Sequence, residues 1–474
     1  MALLGNLKGS AQVFQDTEFY NGVATQSLRF NDNDSASLSW TPSSAGNRKK
    51  WTFSTWLKRS NITNASSGDQ YIFSQATGSN NNDSFMALIF RGDDLDVTCH
   101  SLEVLRSDAK FKDASAWYHI LWAFDSTQAT DTNRVQLFVN GVKQTAFDTS
   151  SIPSQNHDHA FGYYQTGNAG STVERIGGYQ GTYTNDTGSG GGTGDANSRF
   201  NGYMAEWNYV DGLSFFSDTS GTANSSFNIN SFGETKNGIW IPKNYTGSRG
   251  NWGYRLEFKN TSVGSGSSST IGADTSSNNN HFTSTNIVAS DCAMPDSPEN
   301  NFATWNSIAP DPTYGITTFS EGNLKSLNTP NNNKYSEINF RLDQTNKYYF
   351  EYYNISNTAA LQPANFEIQD EVLGASNRVY FYLTDTGTIN VDGSSIGTSF
   401  PTLSAGDIVN IAFDGTTGKV WFGKNGTYYN ASGSATGNPA DGTNPIATLT
   451  PATFKMFSVF YQQGAIMNFG QDSS

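Results

Sequence analysis

The sequence predicts an all-β chain, two antiparallel β-sandwiches joined by an irregular connector, and three observations carry that prediction. First, two distant stretches share one pattern. Ile120-Leu121-Trp122-Ala123-Phe124-Asp125 is followed by a polar loop, an apolar run at 135–139 and Asn140-Gly141; Ile411-Ala412-Phe413-Asp414 is followed by a shorter loop, Val420-Trp421-Phe422 and Asn425-Gly426. Each reads as strand, turn, strand and two-residue hairpin, because a type I′ turn needs positive φ at both central positions, which Asn tolerates and Gly adopts freely. Second, apolar residues alternate: Trp51, Phe53, Thr55 and Leu57 share one face of a strand, with Thr52, Ser54, Trp56 and Lys58 on the other. Third, no stretch keeps a 3.6-residue period over the length of a helix, and short strand-like runs recur between clusters of Gly, Asn, Ser and Thr, as in sandwiches.

In chain order, residues 1–24 carry little periodicity and are expected as an anchor segment or a first edge strand. Strand signals then fall at 27–30, 36–40, 51–58, 71–74, 85–90, 95–99, 117–124, 135–139 and 175–177. Residues 101–111 fit a helical turn through Leu102 and Leu105 or a strand through Val104 and Phe111. The Gly/Ser/Thr/Asn stretch at 181–198 is a loop and not a phosphate cradle, since no Lys-Ser/Thr and no helix follow it. Residues 25–229 are expected to form the first sandwich, 230–300 a connector with one or two strands of its own, and 301–474 the second sandwich. The last has strands at 347–353, 378–383, 407–413, 419–422 and 454–460.

A length of 474 residues asks for two or three domains at about 150 residues each. Only 36% of the chain is hydrophobic, yet 14% is aromatic and 15% charged, so a folded interior is wrapped in a skin of Asn, Ser, Thr and Gly. Net charge of −14 repels phosphate backbones and anionic lipid, which argues against nucleic-acid binding. No run approaches the ~18 apolar residues of a membrane span, and the first residues lack the pattern of a signal peptide, so neither membrane insertion nor an encoded export signal is expected. Cys99 and Cys292 cannot build a disulfide framework and are expected as two separate thiols.

The pieces Ser27-Leu28-Arg29-Phe30, Phe53-Ser54-Thr55-Trp56-Leu57-Lys58, Trp117-Tyr118-His119-Ile120, Leu137-Phe138-Val139-Asn140-Gly141, Ile176-Gly177 and Phe200-Asn201-Gly202-Tyr203-Met204-Ala205-Glu206 stand in the order of a laminin-G or pentraxin-like jelly roll of the concanavalin A-like class, which residues 25–229 resemble. Residues 301–474 resemble a SPRY domain, itself a concanavalin A-like sandwich, through Lys347-Tyr348-Tyr349-Phe350-Glu351, Gly406-Asp407-Ile408-Val409, Ala412-Phe413-Asp414, Val420-Trp421-Phe422, Asn425-Gly426 and Asn438-Pro439. The join, from Phe232-Gly233-Glu234 through Gly272-Ala273-Asp274 to Asp296-Ser297-Pro298, with Glu321-Gly322-Asn323-Leu324-Lys325 beyond, is similar to a combination in virion proteins of marine, cyanophage-like bacteriophages. That resemblance implies a non-enzymatic virion appendage protein, a tail fibre or adhesin. It would be made in the host cytoplasm, carried on the outside of the particle, and bound to other virion proteins and to a host-surface glycan or protein. A homo-oligomer, with a trimer as one form, is expected because multivalency strengthens weak contacts. The alternatives are capsid decoration or a head fibre and, further off, a polysaccharide-cleaving enzyme.

Candidate sites follow from residue chemistry and from these resemblances. Glycosidases of concanavalin A-like folds carry carboxylates at i, i+2 and i+4 of one strand face; Glu367 and Glu371 have the spacing, but Gln369 replaces the central acid, so no catalytic site is expected. No motif assigns a cofactor, but the laminin-G resemblance implies Ca²⁺ held by Asp125 with Asp32 and Asp34 as helpers, although Asp125 equally suits a turn closed by its own backbone. His157 and His159 could give two imidazoles from each of three subunits to a metal on a threefold axis, or be a polar loop pair. Arg91-Gly92-Asp93 reads as a turn. Tyr163, Tyr164, Tyr179, Tyr183, Tyr428 and Tyr429 fall at expected loops, where aromatic faces beside Asn and Asp suit either sugar recognition or a subunit interface.

Overall fold

The computed structural model describes residues 8–9, 19–62, 69–77, 85–99, 102–165, 171–179, 199–308, 318–327, 334–355, 365–382, 388–460 and 464–471. Among these the helical elements are single 3₁₀ turns and all other regular structure is strand, so the fold is all-β. The 102–111 stretch, open between turn and strand in the sequence, is the strand Leu102–Lys110. Contacts divide the chain into two units, one of Gln15–Glu299 and one of Asn300–Ser474 with Met1–Phe14.

The Gln15–Glu299 unit is a sandwich of two sheets. One runs Val142–Lys143, Val135–Val139, Tyr118–Asp125, Lys50–Arg59, Gly202–Asp211 and Tyr254–Leu256, with Leu28–Phe30 beside the start of Gly202–Asp211. The other runs Phe147–Ser150, Leu102–Lys110, Asp94–Cys99, Met86–Arg91, Asp69–Ala76, Val173–Ile176, Ser37–Trp40 and Thr283–Thr285. Trp51, Phe53 and Leu57, on the face the alternation predicted, are buried with Ile120, Trp122 and Phe124 against Ile72, Leu88 and Val97 of the facing sheet. Phe73 bridges the layers, 4.8 Å from Phe53 and 5.8 Å from Trp207 between ring centroids. A bulge sets which side of Gly202–Asp211 faces this core. Glu206 has φ +47° and the register slips between Ala205 and Asn208, so Met204 before it and Trp207 and Tyr209 after it all point inward.

The stretch 230–300 is not a connector. Tyr254–Leu256 adds a strand beside Gly202–Asp211, Thr283–Thr285 adds one beside Ser37–Trp40, and Phe258, Ile271, Phe282, Ile287 and Cys292 sit in the core. Its polar, loop-like composition concealed this because each of the two strands it adds to the sandwich is only three residues long. The same segment covers the second face of the first sheet. Its Phe232 and Tyr245, with Phe215 and Phe227 just before it, pack on Leu121, Ala123, Phe138 and Val210. Trp240 donates its Nε1–H to Nδ1 of the fully buried His119, 3.0 Å away, while Ser54 Oγ lies 2.8 Å from Nε2. Asp296 meets the buried Lys58 ammonium at 2.9 Å and accepts from Trp117 Nε1 at 3.1 Å, and Asp291 meets Arg29 at 2.7 Å. A chain segment that satisfies a buried lysine, arginine and histidine is part of the domain, since each would be costly left unpaired.

The second unit is also a sandwich. Lys347–Asn354, Ile408–Asp414, Lys419–Lys424, Thr427–Tyr429 and Gly464–Asn468 belong to one sheet, and Lys334–Glu337, Phe454–Phe460, Asn365–Asp370, Gly374–Tyr382, Thr388–Val391 and Ser394–Ser399 form the other. Tyr348, Phe350 and Tyr352, Val409, Ile411 and Phe413, Val420 and Phe422 give the first sheet its core face, against Phe366, Ile368, Phe454 and Met456. Both units are thus antiparallel β-sandwiches, as the sequence predicted.

The twin meanders are equivalent down to single atoms. Asn140 and Gly141 have φ +48° and +79°, Asn425 and Gly426 +50° and +83°, the signs a type I′ turn demands. In each, the hairpin Asn carboxamide oxygen accepts from the first strand of the meander, at His119 N and at Ile408 N, both 2.8 Å away. Cys99 and Cys292 are both buried, and neither is in a disulfide.

Candidate functional site

The residues expected to hold Ca²⁺ do not meet. Asp125 pairs with Lys50 at one end of the ten-residue Lys50–Arg59 strand, whereas Asp32 follows Leu28–Phe30, whose Phe30 lies opposite Gly202 and so beside Arg59 at the other end. At about 3.3 Å per residue those ends are about 30 Å apart. Asp125 is buried, and its oxygens accept from Thr127 N and Oγ1, Gln128 Nε2 and Ser214 Oγ, with Lys50 Nζ at 3.7 Å. Asp414 does the same work in the other meander, accepting from Thr416 N at 3.0 Å with Lys347 Nζ at 3.7 Å. Both close a turn and pair with the lysine opposite. Asp32 accepts from Asn201 and Asn33, and Asp34 from Asn31.

The two histidines do not face a common metal either. The His159 ring is buried against Phe124 and Trp51, centroids 4.6 and 5.0 Å away, with Nδ1 accepting from Phe161 N, while His157 is half-buried. An imidazole locked among core aromatics cannot turn to a symmetry axis. Among the described residues no three of His, Cys, Asp and Glu group as metal ligands. Glu367 is tied to Arg378 at 3.0 Å and Glu371 is ion-paired with Arg341, so each carboxylate has its own cation.

The tyrosines part into two groups. Tyr163 lies under the Arg48 guanidinium, 5.1 Å from its ring centroid, and Tyr164 packs half-buried against the first core. Tyr179 packs on Tyr71 and Phe85, and Tyr429 on Phe400. Tyr183 lies outside the described residues. These placements make the four described residues packing groups first.

Tyr428 is different, because register brings it into a row of polar side chains on the non-core face of its sheet. Asn468 lies opposite Glu351, Glu351 opposite Asn410, Asn410 opposite Gly423, and Gly423 opposite Tyr428. Neighbouring strands are about 4.8 Å apart, so the row spans about 19 Å. Gly423 contributes no side chain, and the Tyr428 ring occupies its place: a Cβ there would stand 3.0 Å from a ring carbon. Tyr349, on the same face as Glu351, donates its hydroxyl to the Glu351 carboxylate and accepts from Asn410 Nδ2 at 2.9 Å. Asn468 Nδ2 reaches the second Glu351 oxygen at 3.3 Å, and Asn410 Oδ1 accepts from Gly426 N at 2.7 Å. Burial, with the nearby Glu351 charge, raises both the Tyr349 and the Tyr428 hydroxyl well above the ordinary 10.0, so both stay protonated donors. Tyr353, two residues on from Glu351, is exposed.

Tyr349, Glu351, Asn410 and Asn468 were not among the residues expected from the sequence. A signal was present: Tyr349, Glu351 and Tyr353 alternate with the core residues Tyr348, Phe350 and Tyr352, so the strand carries aromatics on both faces. Chemically the row offers hydroxyl and amide donors, a carboxylate acceptor and tyrosine rings on one rigid surface. It has no nucleophile with an adjacent free base.

No curated protein sequence matches the chain. Among solved structures, a heptameric SAP-like pentraxin from Limulus polyphemus aligns at 14% identity over 44% of this chain and 80% of its own, with a TM-score of 0.28. The SPRY domain of human HERC1 aligns at 13% identity over 35% of this chain and 99% of its own, TM-score 0.25. The CBM40 of the Ruminococcus gnavus IT-sialidase, solved with α2,3-sialyllactose, aligns at 13% identity over 38% and 89%, TM-score 0.24. Residues 31–179 match a laminin-G family model described as the concanavalin A-like lectin/glucanases superfamily.

Proposed function

We propose that this chain is a non-enzymatic glycan-recognition protein, and that the row Asn468–Glu351–Asn410–Tyr428 with Tyr349 is a glycan-contacting surface. The observation that carries this reading is the row itself. Two tyrosine hydroxyls, two carboxamides and a carboxylate are prearranged on a sheet face, the mixture of donors, acceptors and ring surface that sugar hydroxyls and C–H faces require. The lectin/glucanase family match over residues 31–179 supports the same class of ligand for the first unit. The virion setting rests on the resemblance of residues 230–325 to cyanophage-like virion proteins: an external appendage, oligomeric, engaging a host envelope glycan.

Purified full-length protein should bind neutral oligosaccharides of the host envelope on a glycan array and, added to host cells, should reduce particle adsorption. Tyr428→Ala should weaken the array signal about tenfold, the scale of one aromatic ring lost from a sugar face. No binding to any envelope glycan, together with undiminished adsorption, would contradict the proposal. Labelling the protein on intact particles tests the appendage setting, since signal confined to the capsid lattice would point to decoration instead.

A further inference from the structure

A cleft of about 530 Å³ lies in the segment that covers the first unit's seven-stranded sheet. Its volume falls within the 300–1,000 Å³ range typical of small-molecule sites. Phe227 and Tyr245, whose rings touch at 5.3 Å, form its floor and belong to the small apolar cluster beneath. The rim is shaped by local bonds. Asn224 Oδ1 accepts from Ser226 N at 3.0 Å and Phe227 N at 3.2 Å, and Asn228 Oδ1 from Asn230 N at 2.9 Å. Those two carboxamides are used in holding the loops.

Ser226, Ser231 and Tyr245 also spend their hydroxyls on neighbouring groups. Ser225, Asn230, Lys243, Asn244 and Thr246 are exposed polar side chains of the lining, and among the described residues none of them has a hydrogen bond or ion pair to another protein group. Amides and hydroxyls with free capacity around an apolar floor suit a polyhydroxylated ligand. The single charged group on the lining is Lys243, and no carboxylate lines the cleft. On a chain of net charge −14 this is a local reversal of sign. An ammonium with no partner, beside neutral donors, favours a ligand carrying one carboxylate, because a charge-assisted hydrogen bond is roughly twice as strong as a neutral one.

We propose that this cleft binds an acidic saccharide, a uronic acid unit with its carboxylate on Lys243 and its hydroxyls on Asn230, Asn244 and Thr246. The proposal rests on the glycan-recognition reading above but concerns a separate site with a different ligand charge. It is tested by titrating the full chain with trigalacturonate and with its methyl ester, following the backbone amides of Asn230, Asn244 and Thr246 by NMR. The acid should shift these amides and bind about tenfold more tightly than the ester, with the advantage shrinking at high salt. Lys243→Met should remove the preference for the acid, and Tyr428→Ala should leave it intact. Equal binding of acid and ester, a preference that survives Lys243→Met, or no response of these amides while neutral glycans still bind through Tyr428 would overturn this inference alone. If neither acidic nor neutral glycans bind anywhere, the glycan reading falls and this inference with it.

Discussion

Single residues decide more here than their type suggests. Each hairpin asparagine supplies the left-handed backbone of a type I′ turn and also spends its carboxamide on the first strand of the meander, which fixes three strands at once. Gly423 is the counterpart on the site face: the Tyr428 ring lies across its strand, and a Cβ at 423 would press on that ring at 3.0 Å. His119 shows the cost of burial. It is fully enclosed, accepts from Trp240, and is held down to about 3 from 6.5 by desolvation. The unfolded chain takes up a proton at this residue below pH 6.5 while the folded chain does not. Its contribution to stability is therefore full above pH 6.5 and lost as pH falls from 6.5 toward 3. Between pH 7 and pH 5 the loss amounts to about 2 kcal/mol. His119→Gln should flatten that part of the stability profile in denaturant titrations at the two pH values; an unchanged slope would contradict the assignment of a neutral buried imidazole.

At the scale of elements, what was legible had a period or a turn signal, and what was not lacked both. The strand Lys50–Arg59 was visible because its alternation is long, and the two hairpins because Asn-Gly has few other uses. The hairpin even implies that Gly423 faces Tyr428, but the rest of the row, Asn410, Glu351 and Asn468, depends on which strands lie side by side, which no local pattern encodes. The bulge at Glu206 was invisible for the same reason, since nothing in Met204-Ala205-Glu206-Trp207 announces an extra residue. Strands of three residues, Tyr254–Leu256 and Thr283–Thr285, carry too little period to be recognised, and their polar surroundings suggested a connector. The calcium candidates do not meet because likeness of residue type says nothing about which end of a strand a loop occupies, and the histidine pair parts because the His159 ring turns into the core aromatics. The covering segment makes its own prediction through the Lys58–Asp296 pair. Lys58→Met or Asp296→Asn alone should each cost about 3–5 kcal/mol by leaving a buried charge or its partners unmatched, whereas the double variant should cost clearly less than the sum. Additive losses in chemical denaturation would show that the two groups do not depend on one another.

For the molecule as a whole, each unit is a sandwich with its own core, and the first includes residues a sequence-based boundary would discard. A fragment of residues 25–229 lacks both late strands and the cover over His119 and Lys58, and should be insoluble or molten by circular dichroism and gel filtration. Residues 15–299 should unfold cooperatively as one domain. Equal stability of the two fragments would contradict the assignment of 230–299 to the first sandwich. The functional claim centres on the second unit's sheet face, and it is tested most directly by titrating full-length protein with the envelope glycan that binds best. Wild type, Tyr428→Ala and Gly423→Ala should be compared with their thermal stabilities measured alongside. The account predicts that both variants remain folded and lose at least about tenfold in affinity, one by removing the ring and the other by displacing it. Wild-type affinity in two well-folded variants would contradict it.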